Sequence, residues 1–324
     1  MTTLAMFGRR KLLFIVPVVP AAALVPALAC AQKPKLTLGT AMPGGGVETF
    51  GMDLIDRLRS MDPSLEIRAV TTKGIMDNVS LLEAGELDLA LAFGEVTHDL
   101  FAGIGRPPSK LRIVSVTYST PGMFVVRADS RYRAIDDLRG RRVVWNGRNS
   151  GLAVQARYVM DGLGLDIDKD FEPVYTNRLR DGPEMVIDGT AAALWGGGNR
   201  WPGFVTVASS SRGARFVAPN HDEIGRIREK HAFLRQFTVP AGLYPGQYDP
   251  ITTVGSWSFV LARADLDDTI GFRLAAALYK AERTGQLTKQ LAQATVKNTL
   301  AAIPGPEVLQ PGVAQYYRET GLLN

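Results

Sequence analysis

Short apolar segments typical of β-strands alternate with amphipathic segments typical of α-helices along most of this chain. Residues 35–39, 65–70 and 88–93 have the strand pattern. After the first of them, four apolar residues are spaced to share one helical face: Phe50, Leu54, Ile55 and Leu58. Strands that alternate with helices in this way predict an α/β fold built on a layered sheet.

Glycine-rich turns connect several of these strands to the segments that follow. Residues 44–46 precede the first helix, and the polar loop 146–151 precedes a helical pattern over 153–163. Unpaired backbone N–H groups and the helix dipole favour an anion at a helix N-terminus. Because such turns meet at the carboxyl ends of the strands in an open α/β sheet, they predict a binding site for a small anion.

The first 29 residues have the pattern of a secretory signal peptide. Arg9, Arg10 and Lys11 precede an apolar run over 12–29 that ends in small residues. We therefore expect export to the periplasm by the general secretory route. Twin-arginine export and an uncleaved membrane anchor are the alternatives.

Cysteine content and charge both fit an exported protein. Cys30 is the only cysteine, so an intramolecular disulfide is impossible, and its place at the cleavage boundary leaves lipid modification open. The whole chain has 37 basic and 32 acidic side chains, but three basic ones belong to the predicted signal peptide. The remaining excess is too small to indicate a nucleic-acid partner.

Six segments spread over the chain resemble the TAXI family, the solute receptors of a class of TRAP transporters. The order and spacing of these segments carry the resemblance, rather than any one motif. They are residues 39–45 (GTAMPGG), 74–79, 82–90, 136–151, 188–198 and 244–247.

The resemblance implies a two-lobed type II periplasmic-binding-protein fold with central mixed sheets and two hinge crossings. Residues 31–121 and 255–324 would form lobe one, and residues 122–254 would form lobe two. A small anionic ligand would bind between lobes that close by hinge motion. We expect a monomer that docks on a TRAP-type membrane permease and needs no metal or cofactor.

The glycine-rich turns and their neighbours supply the candidate ligand contacts. Backbone N–H groups, Ser150 Oγ and the amides of Asn78 and Asn149 would hold a carboxylate, and Arg148 would pair with it through two hydrogen bonds. Alternatively, both asparagines are helix caps and Arg148 is a solvated loop residue. The candidates are Gly44, Gly45, Gly46, Glu48, Gly74, Asn78, Phe93, Glu95, Arg148, Asn149, Ser150, Gly151, Trp195, Gly197 and Trp201.

Two segments depart from the pattern of the TAXI family. Residues 46–48 read Gly-Val-Glu where the family commonly has a Thr-Tyr-Tyr-like trio, and residues 93–95 read Phe-Gly-Glu where it often has a polar run. Glu48 would face a ligand ammonium group or complement the helix dipole. With fewer polar contacts we expect a more apolar wall, to which Trp195 or Trp201 would contribute.

Enzyme motifs are absent from the sequence. It contains no Gly-x-Ser-x-Gly elbow, no dinucleotide-binding Gly-x-Gly-x-x-Gly and no phosphate-binding P-loop. The three histidines lack the spacing of metal ligands: His98, His221 and His231. The sequence therefore predicts a receptor that captures a small carboxylate, dicarboxylate or glutamate-like amino acid. The alternatives are an ABC importer receptor, a periplasmic hydrolase or lyase using Ser150 or Glu95, and a ligand-presenting signalling protein.

Overall fold

Strands and helices alternate through most of the computed structural model, which describes residues 1–3, 35–41, 46–148 and 150–323. The chain divides into two units, Met1–Gln32 and Lys33–Asn324, and the fold given below is that of the second. Five sequence predictions fall outside the described residues: the signal peptide beyond residue 3, Cys30, Gly44, Gly45 and Asn149.

Ten strands and ten α-helices lie within the described residues. The strands are β1 (Lys35–Gly39), β2 (Glu66–Val70), β3 (Leu89–Ala92), β4 (Arg112–Arg127), β5 (Arg142–Val144), β6 (Glu172–Val174), β7 (Ala193–Gly197), β8 (Ala214–Val217), β9 (Arg235–Val239) and β10 (Ile251–Ala262). The helices are α1 (Gly46–Met61), α2 (Ile75–Glu83), α3 (Gly94–Ala102), α4 (Gly151–Gly162), α5 (Asp181–Asp188), α6 (Pro202–Ala208), α7 (His221–Lys230), α8 (Asp268–Arg283), α9 (Val296–Ala302) and α10 (Pro311–Glu319). Short 3-10 helices cover Ile135–Leu138 and Pro306–Val308.

The strands form one continuous mixed sheet in the order β2-β1-β3-β10-β4-β7-β5-β6, with β8 paired to β4 and β9 paired to β10. Two groups within it are parallel: β1 with β2 and β3, and β5 with β6 and β7. The long strands β4 and β10 are antiparallel to their neighbours and lie between the two groups. The predicted α/β class is therefore confirmed.

Strands β4 and β10 also connect the hydrophobic cores. One core is built from residues 36–116 and 259–317, and two further clusters are built from residues 123–254. The first half of β4 packs in the first core and its second half in the others, while β10 runs in the opposite direction between them. These are the two crossings that the sequence predicted.

The connection from strand to helix repeats in both parallel groups. β1, β2 and β3 lead at their carboxyl ends into α1, α2 and α3, and β5 leads into α4 in the same way. Parallel strands end at the same edge of a sheet, so these helix starts gather beside one another. No helix in the described part of the chain is long and apolar enough to cross a membrane.

Candidate functional site

A cleft of about 600 Å³ lies where the helix starts of the two parallel groups face each other. This volume is within the range of about 300–1,000 Å³ typical of small-molecule sites. Six of the predicted residues line it: Gly46, Gly74, Phe93, Ser150, Gly151 and Trp201. The other lining residues are Ala41, Val47, Lys73, Ile75, Met76, Asp77, Asn146, Gly147, Thr176, Asn177, Arg178 and Leu179.

The N-terminus of α2 forms part of the cleft wall. Gly74 has a φ of 134°, a backbone conformation that residues with a side chain rarely adopt, and this explains the glycine. No side chain among the described residues caps this helix, since Asp77 instead accepts a hydrogen bond from the backbone N–H of Lys73 at 2.9 Å. The first-turn N–H groups of α2 therefore remain available to a bound anion.

The side chain of Asn78 supports the wall that α2 forms. Its side chain is fully buried, and Nδ2 donates to the carbonyl oxygens of Thr40 at 2.8 Å and Leu91 at 2.9 Å. Its Oδ1 accepts a hydrogen bond from the Thr72 hydroxyl at 2.7 Å. The Asn78 amide thus ties together the ends of β1, β2 and β3. The predicted roles of ligand contact and helix cap do not fit, because α2 begins three residues earlier and the amide is enclosed.

The opposite wall is built by the loop between β5 and α4. Ser150 is the N-cap of α4, and its Oγ accepts a hydrogen bond from the Ala153 N–H at 3.2 Å. Asn146 has a φ of 66° and donates from Nδ2 to the Trp195 carbonyl at 2.8 Å, which fixes the turn that precedes the helix. The candidate set omitted Asn146, although an Asn-Gly pair in a polar loop is a turn signal that could have identified it.

Arg148 does not face the cleft, contrary to the prediction. Its Nη1 lies 3.7 Å from Asp168 Oδ1, and its guanidinium carbon lies 3.9 Å from the centre of the Tyr175 ring. These partners hold the side chain on the outer surface. The cations that line the cleft are Lys73 and Arg178, neither of which was predicted.

Trp195, one of the two tryptophans expected to contribute to the cleft wall, is a core residue, as is Trp145. Trp145 and Trp195 are fully buried, and both rings pack edge-on or tilted against Phe124 and each other. Trp201 is half-buried and lines the cleft at the start of α6, over Gly196 and Gly203. The apolar wall therefore comes from Trp201 rather than from Trp195.

Three more candidates lie away from the cleft surface. Gly197 is buried in β7, where it packs against Thr120 and Pro121 of β4. Glu48 is in the first turn of α1 and is not among the cleft-lining residues. Glu95 is almost fully buried and accepts a hydrogen bond from Gln155 Nε2 at 2.9 Å, so it faces another helix rather than a ligand. Burial raises the pKa of Glu95 to about 7.

The described residues that line the cleft include Ser150 but no histidine that could act as its base. Ser150 Oγ is engaged in capping α4, and none of the three histidines is among the lining residues. His98 stacks on Phe233, and His231 hydrogen-bonds to Asp161 at 2.6 Å. The described residues contain no cluster of His, Cys, Asp or Glu that could hold a metal ion.

Comparison with protein families corrects one prediction. A model described as the NMT1-like family matches residues 38–321, almost all of the described chain. The predicted membership of the TAXI family is therefore wrong, and the TRAP permease inferred from it loses its basis.

Comparison with solved structures supports the predicted two-lobed fold. The probable amino-acid ABC transporter extracellular-binding protein YtmK from Bacillus subtilis is 14% identical, with a TM-score of 0.53 over 81% of this chain and 98% of that protein. PhnD1 from Prochlorococcus marinus, in complex with methylphosphonate, is 13% identical, with a TM-score of 0.54 over 90% and 100%. The GluR0 ligand-binding core from Nostoc punctiforme, in complex with L-glutamate, is 12% identical, with a TM-score of 0.52 over 78% and 94%. The two-lobed periplasmic-binding-protein fold is thereby confirmed.

Proposed function

The chain belongs to the NMT1-like family, and from this premise we propose that it is a solute-binding receptor of an ABC-type importer. Two similarities support the proposal: the fold it shares with the amino-acid-binding and phosphonate-binding proteins, and a cleft at the position where that fold binds ligands. In this function the two lobes close over a solute and the closed receptor docks on a membrane permease.

The described charged residues that line the cleft are two cations, Lys73 and Arg178, and one carboxylate, Asp77, which accepts a hydrogen bond from the Lys73 N–H, and this balance favours an anionic solute. The first turns of α2 and α4 line opposite walls, and each presents backbone N–H groups and the positive end of a helix dipole. Lys73 adds an ammonium group that forms no ion pair within the described residues. Arg178 adds a guanidinium group, whose Nε also forms an ion pair with Asp181 Oδ1 at 3.1 Å. Several donors converging on one anion can supply an affinity that no single helix terminus provides.

The remaining wall favours an apolar group on the same solute. Met76 and Leu179 are about half exposed, at 49% and 46%, and both contribute apolar surface to the cleft wall. Val47, Phe93 and Trp201 complete this surface. We propose that the solute is a small amphipathic anion: a carboxylate, or an amino acid with an apolar side chain. The observation that carries this proposal is the pairing of the uncapped N-terminus of α2 and the first turn of α4 with exposed apolar residues in one cleft.

The location and the division into lobes are part of the same proposal. A receptor of this kind works outside the cytoplasmic membrane, in agreement with the signal-peptide pattern of the sequence. We assign residues 31–121 and 255–324 to one lobe and residues 122–254 to the other. The separate cores on the two sides of β4 and β10 support this assignment.

Thermal-shift screening of the purified protein tests the proposal. The panel contains aliphatic and aromatic carboxylates, dicarboxylates, amino acids, alkanesulfonates and alkylphosphonates, each with its uncharged amide or alcohol analogue. We expect at least one anion with an apolar group to raise the Tm by roughly 4–5 °C at a hundredfold excess over its Kd, while its uncharged analogue does not. If no anion of the panel raises the Tm in this way, or if the uncharged analogues give equal shifts, the anion-receptor proposal is refuted. Conversion of a bound solute to product would favour an enzyme instead.

A further inference from the structure

A buried carboxyl group connects the two cores behind the cleft. Glu95 is in the first turn of α3, whose Val96 and Leu100 belong to the first core. Gln155 is on α4, whose apolar residues belong to the second core. The Gln155 Nε2 donates to Glu95 Oε1 at 2.9 Å and to the Thr120 carbonyl oxygen of β4 at 2.7 Å. One amide therefore joins both lobes and a crossing strand.

The surroundings of Glu95 favour its neutral form. Glu95 and Gln155 are 1% and 0% exposed, and no cation lies within hydrogen-bond distance of the carboxyl group among the described residues. The hydroxyl of Ser256 on β10 is buried beside Glu95 and, like the Gln155 amide, favours the ionised carboxyl group, but the effect of burial on the pKa of Glu95 is larger. A buried carboxylate without a cation is costly, whereas a carboxylic acid keeps its hydrogen bond from Gln155 and has a proton to donate.

Ionisable side chains of α3 and α4 lie near the Glu95 carboxyl group. Asp99 lies one turn further along α3, and its charge adds to the effect of burial in raising the pKa of Glu95. Tyr158 on α4 donates a hydrogen bond to Asp99, and His98 on α3 stacks on Phe233. The groups that β4 and β10 present there, Thr120 and Ser256, are neutral.

We propose that Glu95 and Gln155 form a proton-dependent latch between the lobes, closed while Glu95 carries a proton and weakened when Glu95 ionises. When α3 and α4 separate, water reaches Glu95 and the carboxyl group releases its proton to the solvent. When the helices pack together again, the carboxyl group takes a proton up. The inference rests on the opening and closing of lobes in the proposed function, but it does not depend on the identity of the solute.

The direction of the pH effect follows from linkage. The pKa of Glu95 is about 7 when it is buried and falls towards the ordinary glutamate value, near 4.5, when the lobes separate. The proton therefore favours the closed form fully below the ordinary value, and this preference is lost as pH rises to about 7. With one proton linked, the ratio of closed to open molecules falls by up to about tenfold per pH unit in this window. The hydrogen bond from Tyr158 to Asp99 responds to pH in the opposite direction. Protonation of Asp99 weakens this bond, because a neutral carboxylic acid is a poorer acceptor than a carboxylate.

Distance measurement between spin labels tests the latch without any solute. The labels are attached to cysteines introduced at the exposed residues Ser80 on α2 and Glu184 on α5, in the full chain carrying Cys30→Ser. We expect the inter-label distance to shift to longer values between pH 5 and pH 8. In Glu95→Gln, which is neutral and still accepts the Gln155 hydrogen bond, we expect the short distance at both pH values. In Asp99→Asn we expect the response to persist with its midpoint moved to lower pH, because the charge of Asp99 helps to raise the pKa of Glu95.

The same measurements can also refute the proposal. The latch is refuted if the distance does not change with pH, if Glu95→Gln responds as the unmodified protein does, or if Asp99→Asn abolishes the response. Should Glu95→Gln fail to fold, Gln155→Met provides the second test, because it removes the donor and should give the long distance already at pH 5. Because no solute is added, a failed solute screen would leave this outcome unaffected.

Discussion

The ring of Phe93 occupies the space that a Cβ atom on Gly151 would need. Phe93 immediately precedes α3, which packs in the first core, and Gly151 begins α4, which packs in the second. An aromatic ring and a bare Cα therefore allow helices of the two lobes to approach closely at the base of the cleft. The width of the cleft depends on this contact.

Gly151→Ala should widen the cleft and weaken solute binding. The added methyl group overlaps the Phe93 ring, so either α3 and α4 move apart or the overlap strains both residues. Overpacking of this kind lowers stability by about 1–3 kcal/mol. We expect the affinity for the strongest anion of the screen to fall about tenfold or more in isothermal titration calorimetry, with the circular dichroism spectrum retained. Gly147→Ala is the matched control, since a Cβ there meets its nearest atom at 3.7 Å. Equal losses in both variants would contradict the role of the Phe93 contact.

Lys73→Met should weaken anion binding, whereas Arg148→Met should not. Lys73 lines the cleft and forms no ion pair with the described residues, while Arg148 is held outside by Asp168 and Tyr175. Loss of one charged contact should reduce affinity about tenfold, which corresponds to about 1.4 kcal/mol. Titration calorimetry of both variants with the same anion checks the expectation. A loss confined to Arg148→Met would restore the interpretation made from the sequence.

The sequence predicted those elements whose local pattern is strong. Strand β1 has the predicted bounds, Lys35–Gly39, and the four apolar residues expected to share one helical face are all buried on α1. The two crossings were expected, but the sequence pattern did not predict that the halves of β4 and β10 that form them are strands. Their residues there are small or polar, such as Ser119, Thr120 and Gly255, and show no apolar alternation although they are buried. Tertiary burial, rather than local pattern, makes these segments strands.

The candidate site was predicted where glycine-rich turns mark it and missed where loops supply it. Gly74 and Gly151 have conformational or steric reasons to be glycine that a sequence can signal. Arg178 and Leu179 follow the three-residue strand β6, which has no periodic pattern, so nothing local directs them to the cleft. The direction of Arg148 depends on Asp168, twenty positions along the chain, and pairing at that separation cannot be read from the loop alone.

Asn78→Ala should destabilise the whole fold rather than only the site. The substitution leaves the buried carbonyl oxygens of Thr40 and Leu91 without their donor and opens space between three strand ends. Each unsatisfied buried group costs about 1–3 kcal/mol, so we expect the free energy of unfolding to fall by about 2–4 kcal/mol in urea denaturation. Asn177→Ala is the control, because Asn177 is exposed in a loop, and its stability should stay within about 0.5 kcal/mol. A similarly small effect of Asn78→Ala would show that the amide does not hold the strand ends together.

The ion pair between Asp62 and Arg273 should make stability depend on pH in acid. The hydrogen bond from Arg273 Nε, 2.9 Å from Asp62 Oδ2, is the main cause that lowers the pKa of Asp62 to about 2. A carboxyl group with a lowered pKa stabilises the fold above its ordinary pKa near 3.8, and this stabilisation is lost as pH falls towards 2.

Because both side chains are about one-quarter exposed, solvent screening reduces the contribution of this pair to about 1–2 kcal/mol. Asp62→Asn should therefore lower the free energy of unfolding by that amount at pH 7, and the difference from the unmodified protein should disappear between pH 4 and pH 2. Urea denaturation at a series of pH values measures both curves. Asp136→Asn provides the comparison, since that exposed carboxylate is 3.8 Å from Arg139 and its removal should leave the unfolding curve unchanged. A constant difference between the Asp62→Asn and unmodified proteins down to pH 2 would mean that the packing of Asp62 and Ser64, and not the charge, stabilises this junction of α1 and α8.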